Sequence, residues 1–163
     1  MVYAGEPPLV WAIDRDTALV DGTITVTLRR SATEAPPDPR SAIRPALVIR
    51  CEEGKTEVFV TVPAGLVGEE HLKGAPVSVT FDSLLPVRER WFASERGDAV
   101  FSPGADAFLA QLKLTDTVHL RVRVRDSVTQ VSSFAVVGLS EPLRRLAPEC
   151  EHANWPVSPT TIN

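Results

Sequence analysis

Residues 45–62 read PALVIRCEEGKTEVFVTV, and this stretch decides the fold class. Two runs rich in valine and other apolar residues stand on either side of Glu53-Gly54, a dipeptide that favours a tight turn. β-branched residues prefer strands because their side chains pack well on a pleated surface. The stretch therefore predicts an antiparallel hairpin with strands over 45–51 and 56–62.

Upstream of this hairpin, the chain predicts two more strands and a loop. An apolar run at 9–13 predicts the first strand, and the turn signal Asp21-Gly22 precedes a second at 23–28. In the second strand threonine alternates with three apolar residues that we expect to face the core, namely Ile24, Val26 and Leu28. The polar, proline-rich segment 31–44 predicts an exposed loop.

Downstream of the hairpin, most of the chain again follows the two-residue period of strands. The predicted strands cover 76–81, 88–93, 99–101, 117–125 and 129–137. Two short helices are also predicted. One passes through Phe108, Leu109 and Leu112 with Ser102 or Asp106 as its cap, and the other begins at Glu141-Pro142.

These segments define a mostly β architecture. About eight or nine short strands with one or two short helices suit an antiparallel β-sandwich or flattened barrel, because a parallel sheet would need repeated crossover helices. We expect a single β-rich domain over 1–153, with the proline-rich loop 31–44 inside it. The segment 154–163 is expected to be an irregular C-terminal tail.

Composition excludes some classes of protein. The chain has 163 residues, of which 44% are hydrophobic and 23% charged, as in an ordinary globular domain. The formal net charge of -4 argues against a general nucleic-acid binder, which usually carries a strong basic excess. No apolar run approaches the roughly 20 residues of a membrane-spanning helix.

Motifs of catalysis and metal binding are missing from the sequence. It has no nucleophile elbow, phosphate loop or zinc-protease motif, and none of the three histidines, His71, His119 and His152, is paired with another histidine. His71 lies next to Glu69 and Glu70 and is interpreted as a solvated loop residue rather than as a metal ligand. The three tryptophans are interpreted as core or hairpin-edge residues rather than as a platform for stacking sugars. We therefore predict no catalytic residue, no metal site and no cofactor.

Arginines alternate along two predicted strands. In the segment 119–125 the period of two places Arg121, Arg123 and Arg125 on one face, and Arg88 and Arg90 form a similar short ladder. Guanidinium groups on one strand face repel each other unless they are paired. The arginines are therefore either an exposed face with carboxylate partners across the sheet, or a contact surface for an acidic partner or polyanion.

The cysteines leave two interpretations open. Cys51 and Cys150 lie about 100 residues apart without a CxxC motif, so they form a disulfide or remain two buried thiols. A disulfide would imply an oxidising compartment such as the periplasm. The first residues lack the basic and apolar regions of a signal peptide. We therefore expect the chain to be either a mature form or a protein made without a signal.

Short motifs occur in an order that resembles a known family. They are LVIRC at 47–51, KTEVFV at 55–60, WFAS at 91–94, VFSP at 100–103, FAVVGL at 134–139 and the closing Cys150. This succession resembles the VasI/TagO family of type VI secretion accessory proteins, which is also similar to the invasion-associated IalB proteins. The resemblance spans about 11–155, nearly the whole chain.

The resemblance implies an exported accessory protein without established enzymatic activity, and a disulfide between Cys51 and Cys150. The leading hypothesis is therefore a non-enzymatic interaction module that assists a type VI secretion apparatus, with other proteins of that assembly as partners. Two alternatives are a structural component of a phage-like particle and a periplasmic module that binds a glycan or polyanion. The expected location is periplasmic or exported for a mature form, and otherwise cytoplasmic or virion-associated.

Overall fold

The computed structural model describes residues 11–34, 43–52, 54–66, 74–124 and 128–146, the last without the side chains of 145 and 146. In these ranges the elements are nine strands and two helices. The strands are β1 Ala12–Thr17, β2 Ile24–Ser31, β3 Ala46–Glu52, β4 Lys55–Thr61, β5 Ala75–Phe81, β6 Val87–Ala93, β7 Ala99–Phe101, β8 Thr117–Arg123 and β9 Thr129–Ala135. The helices are α1 Ala105–Leu112 and α2 Ser140–Leu146.

All nine strands form one antiparallel sheet in the order β1-β2-β3-β4-β7-β6-β5-β8-β9. The hairpin predicted from 45–62 is confirmed as β3 and β4, with Ile49 opposite Val58 and Glu52 opposite Lys55. Gly54 in its turn has a φ of 77°, which glycine adopts without steric cost. The mostly β, antiparallel class expected from the sequence is therefore confirmed.

The sheet folds over on itself, and its two ends approach each other without forming a ladder. The backbone N–H of Thr33, just after β2, donates to the carbonyl of Ser133 in β9 at 2.9 Å. The Nε of Arg30 donates to the carbonyl of Ala135 at 3.0 Å, and burial lowers the pKa of this arginine. The result is an open, flattened barrel that encloses one apolar core.

The inner face of the sheet supplies most of that core, as the alternation predicts. In β2 the predicted inward residues Val26 and Leu28 are buried, but Ile24 is 40% exposed, so that part of the prediction is wrong. The reason is the length of β3, which ends opposite Thr25, so that Ile24 has a neighbouring strand only on the side of β1, where it lies opposite the exposed Thr17. The segment predicted as the first strand also differs, because β1 runs from Ala12 to Thr17 with every residue exposed.

The helix α1 packs its predicted apolar face into the core. Phe108, Leu109 and Leu112 are buried, and the Phe108 ring lies 5.4 Å from that of Trp91 in an edge-to-face contact. The predicted cap is wrong, because Gly104 occupies the N-cap without a side-chain hydrogen bond. Ser102 instead accepts a hydrogen bond from the Gly104 N–H at 3.2 Å.

The second predicted helix is confirmed as α2, which has Glu141 and Pro142 in its first turn and Leu143 buried. The proline-rich loop 31–44 lies partly outside the described residues, although its first residue, Ser31, ends β2. The tail 154–163 lies wholly outside them. The division into the domain 1–153 and a tail stays a prediction.

Candidate functional site

The alternation predicted for the arginine-rich strand is confirmed in β8. Leu120 and Val122 are buried in the core, while Arg121 and Arg123 are exposed on the outer face of the sheet. Arg125 lies outside the described residues. The local sequence thus fixes which side of the sheet these guanidinium groups occupy.

Strand register brings a third arginine close to this pair. Ser78 in β5 is the direct neighbour of Arg88 in β6 on one side and of Arg121 in β8 on the other. Neighbouring strands lie about 4.8 Å apart, so the two arginine-bearing strands are separated by about 10 Å with β5 between them. The side chain of Ser78 is short and those of Arg88 and Arg121 are long. The outer face of the sheet is therefore lowest over Ser78, between two rows of positively charged side chains.

The structure shows a shallow depression of about 430 Å³ at this place. Its lining consists of Pro76, Val77, Ser78, Arg88, Arg121, Val122, Arg123 and Thr129. We call it the arginine groove, with Arg88 as one wall, Arg121 and Arg123 as the other, and Pro76 and Ser78 as its floor. Sequence reasoning found the walls but missed the floor, because nothing in the segment 76–81 marks it as a neighbour of both arginine ladders.

The arginines of the groove have uncharged residues opposite them on the neighbouring strands. Arg121 lies between Ser78 and Val131, and Arg123 lies opposite Thr129. Among the described residues, no ion pair joins Arg88, Arg121 or Arg123 to an acidic side chain. The interpretation that carboxylates across the sheet pair with these arginines is therefore wrong in the part of the chain that the structure describes.

Arg90, which the sequence groups with Arg88, has a different environment. Its Nη1 donates to the carbonyl of Gly74 at 3.1 Å. Gly74 has a φ of +82°, and a Cβ placed there would lie only 2.8 Å from the carbonyl oxygen of Trp91 and 3.1 Å from Cγ of Arg90. The hydrogen bond of Arg90 therefore connects β6 to the residue just before β5, and we assign Arg90 a structural role.

A row of phenylalanines on the outer face was not predicted from the sequence. Phe101 in β7 is opposite both Phe59 in β4 and Phe92 in β6, and the rings of Phe59 and Phe101 are 4.6 Å apart. Phe92 is 63% exposed and lines a second depression of about 560 Å³ beside the start of α1. The spacing of Arg88, Arg90 and Phe92 along β6 was the one signal that these side chains share a face.

Histidine and serine meet on the outer face of β8 and β9. His119 Nδ1 and Ser133 Oγ are 2.8 Å apart, but the nearby carboxylate of Glu34 accepts the backbone N–H of Ser133 at 2.7 Å. In a catalytic triad the acid instead orients the histidine ring. The contacts of Glu34 and Ser133 connect the segment after β2 to β9, near the place where the ends of the sheet meet.

The remaining candidates of the sequence fall into three groups. Trp11 and Trp91 are buried, as interpreted from the sequence, whereas Trp155, His71 and His152 lie outside the described residues. In the described ranges no three His, Cys, Asp or Glu side chains cluster as a metal site would require. Cys51 is buried in β3, and Cys150 lies outside the described residues, so their disulfide stays a prediction.

Membrane-spanning helices are absent from the described part of the chain, since neither α1 nor α2 has the necessary length and apolarity.

Comparisons with known proteins identify a fold and no family. No family model matches the chain, and no curated protein matches it. The fold, an antiparallel sheet that folds over on itself without closing, nevertheless occurs among solved structures. The chain is similar to the crystal structure of invasion associated protein B from Bartonella henselae, with a TM-score of 0.59.

The two chains are 16% identical, and the similarity covers 85% of this chain and 90% of the other. At that identity the likeness establishes a shared fold. It confirms that the fold is IalB-like, as the resemblance in the sequence implied. The link to the VasI/TagO family stays a prediction.

Proposed function

We propose that this chain is a non-enzymatic bacterial accessory module that binds an acidic partner through the arginine groove. The observation that carries this proposal is the register of β5, β6 and β8, which sets three exposed arginines around Ser78 with no carboxylate paired to them in the described part of the chain. Unpaired arginines are strong recognition groups for carboxylates and phosphates because the planar guanidinium donates two parallel hydrogen bonds.

The biological setting of this module rests on the resemblances. The fold is shared with a protein named for its association with invasion, and the succession of motifs resembles accessory proteins of type VI secretion. We therefore propose a role beside a secretion apparatus, with acidic proteins of that assembly as partners. A periplasmic or exported location fits the proposed disulfide between Cys51 and Cys150.

The second candidate function is a module that binds a polyanion or an acidic glycan. The positive charge of the groove favours it equally well. Proteins that hold sugars often add an aromatic ring for stacking, and the lining of the arginine groove contains none. This difference favours a protein partner over a glycan.

Two variants with the same change in charge test the proposal. In the groove variant Arg88, Arg121 and Arg123 are replaced by Gln, and in the control variant the exposed Arg29, Arg96 and Arg144 are replaced by Gln. Binding of each to poly-L-glutamate, heparin and polyphosphate is measured by fluorescence anisotropy at low ionic strength. Circular dichroism and thermal unfolding check that both variants keep the fold.

We expect the wild type and the control variant to bind at least one of these anions with similar affinity. The groove variant should bind at least about tenfold more weakly, which corresponds to about 1.4 kcal/mol. An equal loss in the two variants would show a general effect of net charge and would refute a specific groove. Absence of binding to all three anions by the wild type would refute it as well.

A further inference from the structure

Backbone pairing restricts how any partner can bind in the arginine groove. β5, which forms its floor, is hydrogen-bonded to β6 on one side and to β8 on the other. Its backbone donors and acceptors are therefore used within the sheet, and a partner cannot add a strand there. Recognition must come from the side chains of the walls, which are guanidinium groups.

The spacing of the walls matches an extended peptide. Arg121 and Arg123 are two residues apart on β8, so they are separated by roughly 6.6–6.8 Å along the strand. Side chains on one side of an extended peptide repeat at the same distance, because the peptide has the same geometry. The carboxylates of two acidic residues at positions n and n+2 of such a peptide therefore have the same spacing as Arg121 and Arg123.

The opposite wall accommodates the residue between these two. Successive side chains of an extended peptide point in opposite directions, so position n+1 is directed toward β6 when n and n+2 are directed toward β8. Arg88 is level with Arg121 across Ser78 and therefore about 3.3 Å along the strand from position n+1, an offset that its long side chain spans. The walls stand on strands about 10 Å apart, which leaves room for a peptide backbone above Pro76 and Ser78. Three consecutive acidic residues thus give each arginine a carboxylate.

The charge of the whole chain adds to the selectivity for this groove. The formal net charge is -4, so an acidic segment is repelled by the molecule as a whole at long range. Attraction is expected at the groove, where basic side chains cluster and no acidic side chain pairs with them among the described residues. Such a field orients an acidic partner toward the groove and disfavours other docking positions.

We propose that the natural partner of the arginine groove is a protein segment that presents at least three consecutive acidic residues in an extended conformation. This inference rests on the proposed function, since it names the partner of the same site. The segment lies along β5, with alternate carboxylates directed to Arg121 and Arg123 on one side and to Arg88 on the other. Each guanidinium receives one carboxylate in this arrangement.

Two peptides of identical composition and charge test the inference. One has three consecutive glutamates flanked by two glycines at each end, and the other has the same three glutamates separated from one another by two glycines. Fluorescently labelled forms are titrated with the full chain at low ionic strength, together with a labelled heparin fragment. The groove variant and the control variant described above are titrated in parallel.

We expect the consecutive peptide to bind at least about fivefold more tightly than the spaced one, because only the former supplies carboxylates at both walls. The preference should vanish in the groove variant and persist in the control variant. Equal affinity for both peptides, or a preference for the spaced one, would overturn the inference.

The same titrations separate this inference from the proposed function. Binding of the heparin fragment alone, lost in the groove variant, would overturn the peptide inference and leave a groove that recognises anions. Binding of the peptides that survives in the groove variant would overturn the inference too, since the contact would lie elsewhere. If neither the peptides nor heparin bind, the peptide inference fails, and the proposed function fails with it when poly-L-glutamate and polyphosphate do not bind either.

Discussion

Arg50 in β3 and Arg121 in β8 stand on the outer face of the same sheet, yet their surroundings differ. Arg50 is opposite Glu57, and its Nε donates to Glu57 Oε1 at 3.0 Å. Its guanidinium carbon also lies 5.1 Å from the centre of the Phe59 ring. Arg121 is opposite Ser78 and Val131, which offer no charge.

This comparison shows how a sheet makes one arginine structural and leaves another available for binding. Both residues occupy alternate positions of a strand with an apolar inner face. The deciding factor is the identity of the residue across the ladder, because directly opposite side chains interact most strongly. Three changes would break or sharpen the contrast, and they follow in order of expected effect.

Placing an acid in the floor of the groove should have the largest effect. In Ser78→Glu a carboxylate would stand between Arg88 and Arg121, as Glu57 stands opposite Arg50. We expect binding of poly-L-glutamate to weaken at least about tenfold, or about 1.4 kcal/mol, because the guanidinium groups gain an internal partner. Fluorescence anisotropy measures the loss.

The neutral variant Ser78→Gln is the control for this change, since it has the same size without the charge. It should weaken binding far less than Ser78→Glu. Equal affinity of Ser78→Glu and wild type would show that Arg88 and Arg121 do not form the binding surface.

Removing the carboxylate of the structural pair should have a moderate effect on stability. We expect Glu57→Gln to lower the free energy of unfolding by about 0.5–1 kcal/mol, a range that suits a half-exposed ion pair with more than one hydrogen bond. At about 0.5 M salt, which screens the repulsion between the groove arginines, Arg121→Gln should change it by less than about 0.3 kcal/mol, because no ion pair is lost. Urea denaturation of both variants measures the difference.

A double-mutant cycle with Arg50→Gln identifies the source of the loss in Glu57→Gln. The coupling energy should account for most of that loss. Additive effects of the two replacements would show that Arg50 and Glu57 do not stabilise each other.

Ionic strength should reveal the smallest effect, which is repulsion within the groove. At low salt Arg123→Gln should raise the free energy of unfolding by about 0.2–0.5 kcal/mol, because Arg121 and Arg123 carry like charges on one strand face. At about 0.5 M salt the gain should disappear, since screening acts within a few ångströms there. Thermal or urea unfolding at the two salt concentrations provides the comparison, with Arg96→Gln as an exposed control that should show no gain. A gain that is independent of salt would refute the repulsion.

Sequence patterns predicted the fold class and the orientation of the strand side chains. The hairpin of β3 and β4, the buried face of β8 and the apolar face of α1 follow from periods of two and of 3.6 residues. These sequence patterns failed to predict a strand whose side chains do not alternate between buried and exposed. β1 is exposed along its whole length, so the segment 14–17 carries no alternation that would identify it as a strand.

The candidate site was predictable only in part. Arg121 and Arg123 could be placed on one face because they belong to one strand. Arg88 could not be joined to them, because that step depends on β5 lying between β6 and β8. The sequence also could not distinguish the roles of Arg88 and Arg90. The role of Arg90 depends on its hydrogen bond to the backbone carbonyl of Gly74, which only the tertiary structure shows.

The amino-acid sequence by itself determined that this protein is mostly β, and which side chains meet solvent in the strands whose apolar residues alternate, such as β8. Both are local properties, because the two-residue period of a strand is set by its own backbone. Only the tertiary structure decided which strands are neighbours and in what register. Those choices depend on the packing of the whole core, and they leave Arg50 beside an acid and Arg121 beside a serine.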